Sequence, residues 1–223
     1  MELYVDSANV EIIKELNQWL PLDGVTVNPS IVAAEDKELF PLLDELLKLS
    51  KKHLHVQVLS EKKEEIIKEA EKLHSISEKI VVKIPVSQQG LAAIKELDTE
   101  KIKITATAIF TVTQAFSAAK AGAAYLAPYV SRLDRVEQSG VKMVREMQEM
   151  VELNDFSAKI ITASIKNANQ VKELIRTGAQ AMTLSPEILI QSHQHPLTDQ
   201  AVEMFRDDWI NKFKNYNLDS KLK

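Results

Sequence analysis

A single lysine interrupts an apolar run of mostly β-branched residues, Ile80-Val81-Val82-Lys83-Ile84-Pro85. Such a run is typical of a strand that is covered on both faces, as in parallel sheets. A lysine enclosed there loses hydration, which favours its neutral amine, and a neutral amine can attack a carbonyl to form a Schiff base. On this segment alone the simpler interpretation is favoured, in which Lys83 reaches water past the end of the strand.

Polar residues also stand at the predicted carboxyl ends of the other strands. They are Asp6, Thr26, Asn28, Gln57, Thr107, Tyr129, Ser164 and Ser185. Each has an ordinary alternative: Asp6 could cap a helix, Asn28 could shape the turn before Pro29, and Tyr129 could be core. A ring of such residues around one lysine instead predicts an active site.

Eight strand-like segments alternate with helix-like segments along the chain. The predicted strands are Leu3 to Asp6, Val25 to Val27, His55 to Leu59, Ile80 to Ile84, Ile102 to Ala108, Ala124 to Pro128, Lys159 to Ala163 and Ala181 to Leu184. This order predicts an α/β fold, a single (β/α)8 TIM barrel over residues 1–223. An open doubly wound sheet is the alternative, but the glycine-rich turn that it usually carries does not occur here.

Helix-like segments follow each predicted strand. They span about Asn9 to Trp19, Lys37 to Lys51, Glu61 to Ser75, Gln88 to Leu97, Thr111 to Ala121, Asp134 to Leu153 and Asn167 to Thr177, with a short helix near Pro186. Gly122 and Gly178 each stand between a helix and a strand, where a left-handed residue is favoured. A ninth amphipathic segment, residues 198–213, carries apolar residues at helical spacing and predicts an extra C-terminal helix.

Composition narrows the functional class. The net charge is −4 and there is no cysteine, which argues against nucleic acid or membrane as partners and excludes thiolate chemistry. His193 and His195 lack a third ligand nearby, so we expect no metal. The chain begins directly with a strand-like pattern, and we expect a cytoplasmic enzyme without a secretory leader.

Four segments together resemble the transaldolase family, in its short branch that contains the fructose-6-phosphate aldolases. They are Asp6, the loop Gly24-Val-Thr-Val-Asn-Pro-Ser30, the strand Val82-Lys83-Ile84-Pro85 and the segment Ala127-Pro-Tyr-Val-Ser-Arg132. Ala163-Ser164-Ile-Lys166 and Phe205-Arg-Asp-Asp-Trp209 also match, so the resemblance covers essentially the whole chain.

The resemblance implies class I aldol chemistry with no cofactor and no metal. It makes Lys83 the Schiff-base lysine and Asp6 the carboxylate that assists proton transfers. It implies that Gln57, Thr107 and Tyr129 hold a catalytic water, with Tyr129 as general acid and base.

The resemblance also implies substrate contacts. Thr26 and Asn28 fall where the family contacts the dihydroxyacetone hydroxyls or orients neighbouring groups. Arg132 and Ser164 match the site for the substrate's phosphate, and arginine suits bidentate phosphate recognition. The expected partners are therefore sugar phosphates and small ketones or aldehydes.

The choice of activity within the family depends on two positions. Transaldolases of this branch typically have Glu where Gln57 stands and Phe where Tyr129 stands, so this pair favours an aldolase. Val27 replaces a usual threonine, and Ser185-Pro186 replaces a usual Pro-apolar pair, which leaves the role of Ser185 open. The alternatives are a transaldolase that transfers the dihydroxyacetone unit, and a barrel that only binds sugar phosphates as a sensor.

The C-terminal segment predicts association between copies of the chain. Its apolar positions Ala201, Val202, Phe205, Trp209 and Phe213 need a covering surface, which is either their own barrel or a neighbour. The resemblance implies the neighbour, in pentameric rings that pair into decamers.

Overall fold

Eight parallel strands close into a barrel in chain order in the computed structural model, which describes residues 1–97, 99 and 101–214. The strands are β1 Glu2–Asp6, β2 Gly24–Thr26, β3 His53–Gln57, β4 Ile80–Pro85, β5 Ile104–Ile109, β6 Tyr125–Pro128, β7 Lys159–Thr162 and β8 Ala181–Leu184. β1 pairs with both β2 and β8, which closes the ring. The predicted (β/α)8 barrel is confirmed.

Helices follow every strand on the outside of the barrel. They are α1 Val10–Trp19, α2 Pro29–Ala33, α3 Leu39–Leu49, α4 Lys63–Ile76, α5 Gln88–Glu96, α6 Val112–Lys120, α7 Val130–Asp134, α8 Gly140–Leu153, α9 Ala168–Ile175, α10 Pro186–His193 and α11 Pro196–Phe213. The short helices α2 and α7 were not predicted, because five residues are too few to show a helical period.

The long helix predicted from Asp134 to Leu153 is wrong at its start. Asp134 ends α7, and α8 begins only at Gly140, where the Ser139 hydroxyl caps it. A Cβ on Gly140 would lie 2.4 Å from the Val130 carbonyl oxygen, so α7 and α8 approach each other closely at a glycine. The predicted left-handed glycines are confirmed, with φ of +101° at Gly122 and +86° at Gly178.

Apolar side chains pack in two separate layers. The larger layer fills the space between barrel and helices and includes Val82 and Ile84 of β4. The smaller layer lies inside the barrel and consists of Tyr4, Val81, Tyr125, Ala127, Ile161 and Ala181. Because side chains alternate along a strand, Lys83 shares the interior face with Val81.

The additional C-terminal helix is present as α11, and none of its residues is buried. Val202, Phe205 and Phe213 are 62%, 64% and 47% exposed. Within the described part of the chain, this apolar stripe therefore remains largely exposed.

Candidate active site

Lys83 lies on the interior face of β4, near the carboxyl end of the barrel. Its neighbours in the strand register are Gln57 on β3 and Thr105 on β5. The side chain is 7% exposed, and Nζ donates a hydrogen bond of 3.0 Å to the Val27 carbonyl oxygen. The amine is therefore enclosed in the barrel, and the alternative of a lysine that reaches water past the strand end is wrong.

Burial lowers the pKa of Lys83, because the enclosed ammonium loses hydration. The negative charge of Asp6 acts in the opposite direction and raises it. The net direction is downward, so a larger fraction of this amine is neutral near pH 7 than of an ordinary lysine. A neutral amine is the form that attacks carbonyl carbon.

A chain of hydroxyl groups holds the Asp6 carboxylate. Thr26 Oγ1 donates to Asp6 Oδ1 at 2.7 Å, and Thr183 Oγ1 lies 2.7 Å from Thr26 Oγ1. The single Thr26 proton points to the carboxylate, so Thr183 must donate to Thr26. This series joins β1, β2 and β8 and fixes the carboxylate at the barrel opening.

Tyr129 stands at the carboxyl end of β6, directly before α7. Its hydroxyl accepts a hydrogen bond of 3.3 Å from Thr107 Oγ1, which leaves the phenolic proton available. The Phe110 ring meets the Tyr129 ring edge-on at 5.7 Å, and the Arg132 guanidinium lies 4.7 Å from the centre of the same ring. The predicted residues Thr107, Tyr129 and Arg132 thus come together.

Two residues with left-handed backbone redirect the chain at this opening. Ala108 has φ of +56° at a register shift between β5 and β6, and Ser164 has φ of +58° just after β7. Such conformations are uncommon for residues with a Cβ and cluster at functional sites. They turn the chain immediately after Thr107 and two residues before Lys166.

Arg132 and Ser164 lie on two segments that are tied together. The Ser131 N–H donates to the Ser164 carbonyl at 2.9 Å, and the Ser131 hydroxyl donates to Gln170 Oε1 at 2.9 Å. Gln170 also accepts from the Lys166 N–H and donates to Asp134. Gln170 therefore bridges α7 to the loop after β7.

Two predicted residues have local roles in the structure, and a third has a buried atom without a hydrogen-bond partner in the described part of the chain. Asn28 Oδ1 caps α2 by accepting from the Ile31 N–H at 3.1 Å, so its amide nitrogen is the part left for a substrate. The Ser185 hydroxyl donates to Glu187 and thereby lowers the pKa of that carboxyl. The Gln57 Oε1 atom is buried and has no hydrogen-bond partner among the described residues.

Thr105, Thr183 and His55 were not among the candidate site residues predicted from the sequence. His55 Nδ1 lies 2.8 Å from Thr105 Oγ1 inside the barrel, so these residues belong to its polar interior. They could have been found from the sequence, because residues two apart on a strand share a face. His55 lies two residues before Gln57, and Thr105 lies two residues before Thr107.

The two histidines considered for a metal have other contacts. His193 Nδ1 bonds to the Leu189 carbonyl at 2.7 Å, and His195 Nδ1 accepts from the Leu197 N–H at 3.2 Å. In residues 1–97, 99 and 101–214, no group of three or more His, Asp or Glu side chains could hold a metal ion. Within the same ranges, no helix is long and apolar enough to span a membrane.

An apolar cavity of about 480 Å³ lies behind the opening, on the outer side of β2 and β3. Val32, Phe40, Leu59 and Leu73 line it together with the stem of Lys72. Asn28, Gln57 and Glu69 also line this cavity, but most of its lining is apolar and does not suit a sugar phosphate. The polar group around Lys83 is therefore the candidate active site.

Solved structures of other barrel proteins resemble this chain in fold. A putative fructose-1,6-biphosphate aldolase from Coccidioides immitis superposes with a TM-score of 0.58 at 14% identity, covering 89% of this chain and 81% of that one. The thiamine phosphate pyrophosphorylase from Pyrococcus furiosus gives 0.56 at 15% identity, covering 82% and 85%. At these identities the similarity concerns the fold alone.

Sequence comparison is more specific. Proteins named "Probable transaldolase" match over 209 residues, which is 94% of this chain and 98% of each relative: the one from Thermodesulfovibrio yellowstonii is 40% identical and the one from Alkaliphilus metalliredigens 38%. The family model described as "Transaldolase/Fructose-6-phosphate aldolase" matches residues 3–221. The chain therefore belongs to the transaldolase/fructose-6-phosphate aldolase family.

Proposed function

We propose that this transaldolase-family enzyme is a class I aldolase that cleaves fructose 6-phosphate to dihydroxyacetone and glyceraldehyde 3-phosphate, and forms it in reverse. The observation that carries the proposal is the enclosed amine of Lys83, whose pKa is lowered by burial and which lies within the electrostatic reach of Asp6. The cytoplasmic location expected from the sequence is part of this proposal.

The first half of the reaction forms the imine. The neutral Lys83 amine attacks C2 of the ketose, and a proton passes from nitrogen to the former carbonyl oxygen. The resulting hydroxyl takes up a second proton and leaves as water, which gives a protonated imine. The Asp6 carboxylate, oriented by the Thr26 and Thr183 hydroxyls, is the group that exchanges protons in these steps.

The second half breaks the carbon–carbon bond. The C4 hydroxyl loses its proton, the C3–C4 electrons move toward the imine, and glyceraldehyde 3-phosphate leaves an enamine on Lys83. Tyr129, with Thr107 donating to its oxygen, acts here as acid and base, directly or through one water that Gln57 helps to hold. Protonation at C3 and hydrolysis then release dihydroxyacetone and restore the amine.

The substrate's phosphate binds beside the opening in this proposal. The exposed Arg132 guanidinium stacks over Tyr129 and keeps N–H groups at its edge for phosphate oxygens, and Ser164 adds a hydroxyl. Thr26 and Asn28 lie at the ends of β2 and α2, where they can meet the dihydroxyacetone hydroxyls.

The curated relatives favour a second candidate, since they are named probable transaldolases. In that activity the enamine on Lys83 waits for an acceptor aldose phosphate instead of being protonated. Incubation with fructose 6-phosphate alone separates the two. An aldolase yields glyceraldehyde 3-phosphate without an acceptor, whereas a transaldolase yields it only after erythrose 4-phosphate is added.

The covalent step has its own test. Borohydride reduction in the presence of dihydroxyacetone should attach mass to the peptide that contains Lys83. Lys83→Arg should not react, because a guanidinium stays protonated. Lys95→Met, which changes an exposed lysine of α5, is the matched control and should react normally. Equal adduct formation in Lys83→Met would contradict the mechanism.

A further inference from the structure

His55 lies inside the barrel, one layer below Lys83. In the strand register it stands beside Thr26 on β2 and Val81 on β4, and Val81 precedes Lys83 by two residues on the same face. Its Nδ1 atom reaches to 2.8 Å from Thr105 Oγ1 on β5, and Thr105 is the register neighbour of Lys83. The ring therefore spans from β3 to β5 under the lysine.

An imidazole at this position is costly. The side chain is 0% exposed, and Nε2 has no hydrogen-bond partner among the described residues. Barrel interiors are usually filled with branched apolar residues, and Val81 and Ile161 are such residues here. A buried polar atom without a partner calls for an explanation that packing alone does not supply.

The ring is held in one orientation from below. Tyr4 and Tyr125 meet it edge-on, with ring centres at 4.8 and 5.0 Å. The hydroxyls of both tyrosines donate to Glu2 Oε2 at 3.0 Å, so the tyrosines are themselves anchored. Together with Thr105, these contacts leave the imidazole little freedom to rotate.

Two titratable groups act on His55, Lys83 more strongly and His53 less strongly. Burial lowers the pKa of His55 well below its usual value, and the Lys83 charge lowers it further. His53, on the same strand, has a pKa lowered by burial. The pKa of Tyr4 is raised, and that of Tyr125 is raised to about 12, both chiefly by burial, so these phenols stay neutral. Asp6 acts on Lys83 from β1.

We propose that His55 is a positioning residue for Lys83: a buried imidazole, anchored through Nδ1 on Thr105, whose unpaired Nε2 stabilises the cationic forms of the lysine nitrogen. With the proton on Nδ1 and donated to Thr105, Nε2 presents a lone pair, the arrangement that a neighbouring cation favours. The cations concerned are the resting ammonium and, if the proposed function holds, the protonated imine.

This role predicts the direction in which the pKa of Lys83 changes when His55 is replaced. His55→Phe keeps an aromatic ring between Tyr4 and Tyr125 but removes both nitrogens, so the ammonium becomes less stable and the pKa of Lys83 falls. Competitive labelling with trace acetic anhydride, read on the Lys83 peptide by mass spectrometry, gives that pKa without any substrate. We expect the labelling midpoint to move down by about one pH unit. Borohydride trapping with dihydroxyacetone should become at least several-fold weaker at the pH optimum.

Three further variants make the test specific. His55→Gln places an amide near the position of Nε2 and should restore the wild-type midpoint. Thr105→Val removes the anchor and should give a smaller shift in the same direction, which decides the matter if His55→Phe does not fold. His53→Phe, two residues earlier on the same strand, is the matched control and should leave the midpoint unchanged.

Two results would overturn the role of His55. One is a Lys83 midpoint in His55→Phe, or in Thr105→Val if His55→Phe does not fold, that coincides with the wild type. The other is an equal shift in His53→Phe. Failure of wild-type trapping with normal labelling midpoints would instead contradict the proposed function, so the two failures are distinguishable.

Discussion

Replacing Lys83 by methionine removes the amine and keeps an unbranched side chain. The pKa of Lys83 is lower in the folded barrel than in the unfolded chain, so between the two values the unfolded chain binds more protons and stability rises with pH. Lys83 therefore destabilises the fold most at low pH. We expect Lys83→Met to be inactive but more stable, by about 2–4 °C in Tm for each kcal/mol gained.

The pH dependence makes that prediction specific. The advantage of Lys83→Met should be largest below the folded pKa and should vanish above the unfolded pKa of about 10.4. The Val27 carbonyl loses its donor, which offsets part of the gain. Thermal unfolding of both proteins at about pH 6, 8 and 10 checks this, because other titrating groups are common to both. A lower Tm for the variant at every pH would contradict it.

Gln57 and Tyr129 should decide what happens to the enamine. A phenol can deliver the proton that releases dihydroxyacetone, whereas phenylalanine cannot, and a glutamate can exchange protons where glutamine only orients water. We expect Gln57→Glu with Tyr129→Phe to lose acceptor-free cleavage and gain transfer to erythrose 4-phosphate. Rates of glyceraldehyde 3-phosphate formation with and without the acceptor measure this. A wild type that already needs the acceptor would be a transaldolase.

The sequence alone was enough to predict that Lys83, Asp6, Thr107 and Tyr129 lie near one another. Each is a polar residue at the end of a strand, and parallel strands of a barrel end at one opening. Hydrogen bonds across the barrel could not be foreseen in the same way. Thr26 and Thr183 are 157 residues apart. Their contact depends on the register and stagger of the closed sheet, which local sequence does not encode.

At the scale of elements, the short helix α7 carries Arg132 and depends on Gln170 for its place. Gln170 joins Ser131 and Asp134 of α7 to the Lys166 backbone. We expect Gln170→Ala to raise KM for fructose 6-phosphate about tenfold, the loss of about 1.4 kcal/mol, because the proposed phosphate contacts lose their support. Imine formation with unphosphorylated dihydroxyacetone should change little.

Steady-state kinetics with both substrates tests this element. Lys172→Ala, on the exposed side of α9, is the matched control and should resemble the wild type. If Gln170→Ala loses as much activity with dihydroxyacetone as with fructose 6-phosphate, Gln170 supports the whole opening of the barrel and not only the proposed phosphate site.

Long elements were predictable and short ones were not. Apolar periodicity located every strand and the main helix that follows each strand, because those helices bury one face on the barrel. α2 and α7 have five residues each, and capping by Asn28 or a start at Val130 is visible only in three dimensions. Both fall between a strand and its main helix, where the predicted site residues Asn28 and Arg132 also lie.

At the scale of the whole molecule, α11 predicts assembly. Its apolar residues are exposed on a single copy of the chain, and the rings of Trp209 and Phe213 lie tilted with their centres 4.5 Å apart. An apolar stripe of this kind needs a covering surface. We expect the full chain to be a homo-oligomer and a chain ending at Pro196 to be smaller, with light scattering as the measurement. A monomeric full-length protein would contradict the prediction.

Closure of the barrel has a consequence for how the protein is made. The first strand finds one of its two partners only when β8, near the end of the chain, has emerged from the ribosome. Thr183 on β8 supports Asp6 through Thr26, so this support exists only in the closed barrel. We therefore expect the proposed reactivity of Lys83 toward aldehydes and ketones to depend on closure of the barrel by its last strand.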